Sequence, residues 1–283
     1  MLIILFLLAA NIGFEHLCVD PIAHRVGMGY AQFGDGYCVS YNPAGVAYTL
    51  NPNYSACYLN YIADTHFGYL GYEHNQIGVG VRYFYGGQLK KTDEFGAEFG
   101  SFGVHFIDIS VGKGFFYEDI GLGISIKGVY ANIDTLFAIG AGIDIGVLYI
   151  WLEPEIQIGL AIKNVGTALK PFIESKELFP YEINVGGVKQ FSNGWVGLDI
   201  VKPALMDLGA RIGGGYSLVS NLDLKASYNT LLSSIRTGSN GLDFLAGLTI
   251  GVALKTNTVC IDYSYSPYFD LGGCHRISVS LGG

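Results

Sequence analysis

The sequence predicts an all-β protein, a transmembrane antiparallel up-and-down β-barrel of about 14 strands with a short N-terminal plug segment. Three observations carry this expectation. First, apolar residues recur with period 2. Ile77, Val79, Val81, Tyr83 and Tyr85 alternate with Gly78, Gly80, Arg82 and Phe84. Ile120, Leu122, Ile124 and Ile126 alternate with Gly121, Gly123, Ser125 and Lys127, and Ile277, Val279 and Leu281 with Arg276, Ser278 and Ser280. Successive strand side chains face opposite sides, so each segment has one apolar face and one small or polar face. Second, 50% of the 283 residues are hydrophobic and only 14% are charged, against about 25% charged in soluble proteins. Beyond the first ten residues, however, no apolar run approaches the roughly 20 residues of a membrane helix. Only helices and closed barrels satisfy the backbone in lipid, which leaves the barrel. Third, the connections between alternating segments sort by length.

Taken in chain order, Met1 to Ala10 is an apolar stretch of signal-peptide length, without the usual preceding Lys or Arg. Residues 1–15 are expected to be an export signal, with cleavage between residues 10 and 23. Residues 16–52 form the expected plug and residues 53–283 the barrel. Within the plug, Asn42-Pro43-Ala44-Gly45 favours turn initiation. It serves either as a structural turn or as a gate to passage. Strands are expected near 54–62, 65–74, 76–86, 103–113, 118–130, 137–149, 155–165, 181–190, 194–202, 208–217, 222–230, 242–254, 256–266 and 274–282.

The even-to-odd connections are tight: His74-Asn75, Tyr117-Glu118-Asp119, Glu153-Pro154, Ser192-Asn193-Gly194, Ser220-Asn221 and Lys255-Thr256-Asn257. Asn193-Gly194 is the strongest hairpin dipeptide among them. The odd-to-even connections 87–102, 166–180, 203–207, 231–241 and 267–273 are longer, and the one at Ala63-Asp64 is short. Outer-membrane barrels have short periplasmic turns and long outer loops. An exported N-terminal segment on the periplasmic side puts the tight turns in the periplasm.

The inward parity collects Arg82, Asp108, Lys127, Asp144, Lys163, Glu182, Asp199, Arg211, Asp223, Lys225, Asp262 and Arg276. Mixed signs are expected to pair across a narrow lumen rather than meet lipid. The 41 glycines give that lumen space, and Tyr85, Tyr130, Tyr149, Trp151, Tyr181 and Tyr265 fall near strand ends, where aromatic girdles meet the membrane surface. A soluble or periplasmic β-rich protein is the alternative, with the charges as its solvated face.

The net charge of −8 and the lack of a Lys/Arg cluster exclude nucleic acid as a partner. None of Cys18, Cys38, Cys57, Cys260 and Cys274 forms a C-x-x-C pair, so no metal site is read from the cysteines. Cys260 and Cys274 share the inward parity and are either a disulfide or free thiols. No G-x-S-x-G is present, and none of the six histidines sits in a nucleophile motif, so no enzyme activity and no cofactor are expected. Asp270 and Arg276 flank the last outer loop, with His275 beside them, as a ligand or partner contact or as a brace of that loop.

Three stretches resemble the PorV/PorQ family of outer-membrane barrels, relatives of the FadL-type channels. The first is Gly27-Met28-Gly29-Tyr30-Ala31 followed by Tyr41-Asn42-Pro43-Ala44-Gly45-Val46-Ala47. The second is Leu198-Asp199-Ile200-Val201-Lys202-Pro203, and the third runs from Asp262 through Pro267, Asp270-Leu271-Gly272 and His275-Arg276 to Ser278. Lys163-Asn164-Val165-Gly166 is a weaker match. The resemblance implies a bacterial outer-membrane barrel in contact with lipid and an N-terminal segment near the lumen. It implies either passage of small hydrophobic compounds or, as in PorV, partnership with a protein of type IX secretion or surface attachment.

Overall fold

The alternating segments form fourteen antiparallel strands in a computed structural model that describes residues 11–25, 29, 31–173, 177–235, 245–268 and 271–282. They are β1 (Asn53–Asn60), β2 (His66–His74), β3 (Ile77–Thr92), β4 (Glu98–Tyr117), β5 (Ile120–Ile133), β6 (Leu136–Trp151) and β7 (Ile156–Lys170). The second half comprises β8 (Glu182–Phe191), β9 (Gly194–Pro203), β10 (Gly209–Val219), β11 (Leu222–Asn229), β12 (Leu248–Lys255), β13 (Val259–Pro267) and β14 (Gly273–Gly282). Each strand pairs with its sequence neighbours, and β14 pairs with β1, so the sheet closes without an edge. A two-residue strand, Glu177–Leu178, adds to β7 at the rim and pairs in parallel with Asn11–Ile12.

The two faces of the wall differ as the alternation requires. Ile126 and Leu70 are each 64% exposed on the outside, while Asp144, Asp199 and Asp262 are 1% exposed inside. A soluble barrel would bury the aliphatic face and hydrate the carboxylates. The soluble alternative is therefore set aside: this is a transmembrane barrel with an apolar outer surface. No helix among the described residues is long and apolar enough to cross a membrane.

Loop length follows parity, with three corrections. The expected loop 87–102 is mostly strand, because β3 and β4 continue past a bulge between Tyr85 and Gln88 and turn only at 93–97. Gly87 supplies the left-handed φ of 82° at that bulge. Gly194 begins β9 rather than completing a turn, because Phe191 pairs with Gly194 across a two-residue loop, Ser192-Asn193. The left-handed pair sits instead at Asn75 and Gln76, with φ of 48° and 63°, as a type I′ hairpin needs. The β5–β6 connection, at 134–135 on the long-loop side, is as tight as any opposite.

The cysteines are all free thiols. Cys260 pairs with Ser280, whereas Cys274 pairs with Ser266. Register thus separates the two by six residues, about 20 Å at about 3.3 Å per residue, far beyond disulfide reach.

Candidate channel lumen and its plug

The N-terminal segment runs inside the barrel from one rim to the other. At the long-loop rim, Gly13 donates its N–H to the Leu178 carbonyl (3.0 Å), and Phe14 packs on Phe179 with ring centroids 5.0 Å apart. At the tight-turn end, the Gln76 N–H donates to the Thr49 carbonyl (3.1 Å). Between these points lie three short helical turns, Glu15–Cys18, Cys38–Tyr41 and Pro43–Tyr48.

Asn42-Pro43-Ala44-Gly45 is built as a capped turn. The Asn42 side-chain oxygen accepts from the Ala44 N–H (3.0 Å), with Pro43 in the first helical position, where its missing N–H costs nothing. The Asn42 amide donates to the Val147 carbonyl of β6 (3.0 Å), fixing the turn to the wall. The inward glycines make this approach feasible. A Cβ on Gly123 would strike the Pro43 and Ala44 backbone, and one on Gly146 would strike the Asn42 side chain. Val39 and Val46 lie over Gly78, and Tyr48 donates its hydroxyl to the Leu148 carbonyl (3.0 Å). The glycines of the inner wall thus give space that the plug occupies.

The inward charges divide between wall pairs and plug contacts. Lys127 pairs with Asp144 at 3.2 Å and also donates to Asn164. Asp223 pairs with Lys255, and Arg211 lies 3.9 Å from Glu182. Lys163 lies 5.5 Å over the Tyr41 ring of the plug, and Asp199 abuts Gly29. Arg82 donates to the Val19 carbonyl (2.6 Å) and to the His16 carbonyl (3.3 Å). Asp108, beside it, receives His16 at 2.8 Å. Lys225 pairs with Asp262 at 2.5 Å, and Asp262 also meets His24 of the plug at 2.7 Å.

Inside the plug, Arg25 is enclosed and holds Asp35 through its Nε at 2.6 Å and Nη2 at 2.8 Å, while its Nη1 donates to the Gly29 carbonyl (2.9 Å). Burial works against the Asp35 charge, but Arg25 and His24 outweigh it and hold the carboxyl below the usual carboxylate range. This Arg25–Asp35 lock was not read from the sequence. Both residues lie in a short non-strand segment whose spacing has no period to show it.

Of the three residues named at the last outer loop, two are described. His275 and Arg276 are adjacent on β14, so they face opposite sides of the wall. His275 points outward and meets the Tyr263 hydroxyl at 2.8 Å, in a row with Tyr265, His66, Tyr85 and His105 on neighbouring strands. Arg276 points inward and donates to the Asp20 carbonyl (3.0 Å) and the Ser266 hydroxyl (2.7 Å). Asp270 lies outside the described residues.

Towards the long-loop rim the plug leaves a cavity of about 440 Å³, in the range of small-molecule sites. Ile22 of the plug, Tyr61, Leu232 and Tyr268 give it apolar surface, and charged side chains of both signs, among them Arg82, Lys163, Glu182, Arg211 and Arg276, complete its lining.

No protein-family model matches this chain, and no curated protein matches it. Solved structures do. The chain is similar to the TodX toluene transporter of P. putida, at 12% identity with a TM-score of 0.59, covering 93% of this chain and 98% of that one. A TodX monoaromatic hydrocarbon channel mutant, deltaS2S3, gives a TM-score of 0.61 at 12% identity, covering 92% and 98%. At this identity the likeness shows a shared fold, a closed 14-strand barrel with an additional strand pair. The apolar outer wall and polar inner wall are those of a barrel that spans a membrane.

Proposed function

We propose that this protein is a non-enzymatic outer-membrane channel for small hydrophobic compounds, with residues 16–52 as a plug that controls passage and the tight turns on the periplasmic side. The observation that carries the reading is the 440 Å³ cavity beside the plug, with an apolar patch among its charged lining residues, in a barrel of the TodX fold. TodX is a toluene transporter, and a compound of that class suits a site bounded by Ile22, Tyr61, Leu232 and Tyr268. Asn42 to Gly45 then serve as the turn that seats the plug, and the inward ion pairs hold its path. The secretion-partner role rests on the motif resemblance alone, and no feature of the barrel adds to it.

The folded protein in detergent should bind toluene in calorimetric titration with a heat that saturates. Leu232→Trp, which fills the cavity, should weaken binding at least tenfold, corresponding to about 1.4 kcal/mol. Non-saturating partitioning, equal in both proteins, would contradict the cavity as the binding site.

A further inference from the structure

Where the plug meets β13, one side chain of the plug and two of the wall converge. Cys260 and Asp262 are two residues apart on β13, so both face inward. Asp262 Oδ2 lies 2.7 Å from His24 Nδ1 and 3.3 Å from Cys260 Sγ, and Cys260 Sγ lies 3.9 Å from His24 Nδ1. Thiolate, imidazole and carboxylate on tetrahedral zinc, with metal–ligand bonds of about 2.0–2.3 Å, stand roughly 3.3–3.7 Å apart. For a metal to enter, the 2.7 Å His24–Asp262 contact must widen and the 3.9 Å Cys260–His24 contact close, each by rotation of the part-exposed His24 and Cys260 side chains towards that spacing.

The atoms behind the ligands are arranged as an outer shell. The far nitrogen of His24, Nε2, faces Asp35 Oδ2 at 3.7 Å, so a carboxylate stands ready to take the imidazole N–H when the proton that Nδ1 shares with Asp262 gives way to the metal. The other oxygen of Asp262 holds Lys225 at 2.5 Å, and Lys225 also donates to the His24 carbonyl at 3.2 Å. Tyr37 stacks on the imidazole with ring centroids 5.7 Å apart. Cys260 and His24 are only partly buried, and Cys260 adjoins the open turn at 256–258, which gives an ion access from the tight-turn end.

We propose that His24, Cys260 and Asp262 bind a divalent transition-metal ion of the zinc class, which fastens the plug to the barrel wall. The donor set of one sulfur, one nitrogen and one oxygen selects zinc, cobalt or cadmium over calcium or magnesium, which prefer all-oxygen sites. Binding releases the Cys260 thiol proton to solvent. The ion's two charges are then matched by one thiolate and one carboxylate. A fourth position remains for water. The site joins plug to wall across 238 residues of sequence, so metal would raise the stability of the plugged state whatever the channel carries.

The test uses the full chain folded in detergent with its thiols reduced, titrated with Co²⁺ and then competed with Zn²⁺. One equivalent of Co²⁺ should produce a thiolate-to-cobalt charge-transfer band and tetrahedral visible bands, with proton release, and Zn²⁺ should erase the bands. Cys260→Ser should abolish the charge-transfer band, and Cys18→Ser should keep it. His24→Ala, outside the barrel strands, should weaken binding tenfold or more while the barrel stays folded. Absence of a stoichiometric band in the unsubstituted protein, or a band that survives both Cys260→Ser and His24→Ala, would overturn the site.

Discussion

Deleting residues 24–50 is expected to turn a quiet barrel into a steadily conducting pore. In the intact protein the described residues of this segment lie across the lumen, with the Asn42 turn bonded to β6 and Tyr48 bonded to the Leu148 carbonyl. The barrel itself is closed by strand pairing that does not involve them. Glycines at 78, 123 and 146 would then line open space instead of plug backbone. Removal also strips His24 from Asp262 and Arg25 from the lumen, but the carboxylates left behind face water and keep their wall partners, such as Lys225. Planar-bilayer recordings check this, with heat-modifiable migration confirming an intact barrel. Unchanged conductance in a folded deletion protein would mean that the segment does not obstruct the pore.

The second large effect concerns the outer wall. Ile126, midway along β5, is 64% exposed on the lipid face. Ile126→Arg should cost about 2–4 kcal/mol, the cost of a cation near the bilayer midplane. From alternation alone, Ser125 looks like open lumen and a harmless place for arginine. The structure places Ser125 at 1% exposure, 3.3 Å from Asp144 and beside the Lys127 pair, so Ser125→Arg would also disrupt packing. Ser227, which lines the cavity, is the better inward control and should tolerate arginine with a much smaller loss. Urea unfolding in lipid vesicles measures both. Equal losses at Ile126 and Ser227 would argue against lipid on the outer face.

The strands were legible because period 2 is a direct consequence of pleating, and the inward charges came with it. Lys127 and Asp144 fall on neighbouring strands, where register sets Asp144 two residues past the Lys127 partner Gly142, within reach of the long lysine side chain. The path of the plug was not legible. Arg82 reveals its face and its cross-strand partner Asp108 through alternation, but its partners on the plug are the carbonyls of His16 and Val19, which any residue offers. Asn42-Pro43 shows itself as a turn by its own chemistry. The seat for that turn is Gly123 and Gly146, and glycine in a strand does not announce what approaches it. At the last outer loop, alternation already gives Arg276 an inward face, and its neighbour His275 accordingly turns outward.

The channel reading is tested most directly by uptake of radiolabelled toluene into cells that lack their own hydrocarbon channel. Cells expressing this chain in the outer membrane should take up toluene several-fold faster than cells without it. Leu232→Trp should return the rate towards background while permeation of a small sugar through the resident porins stays constant. Equal toluene uptake with and without the folded barrel would contradict the channel.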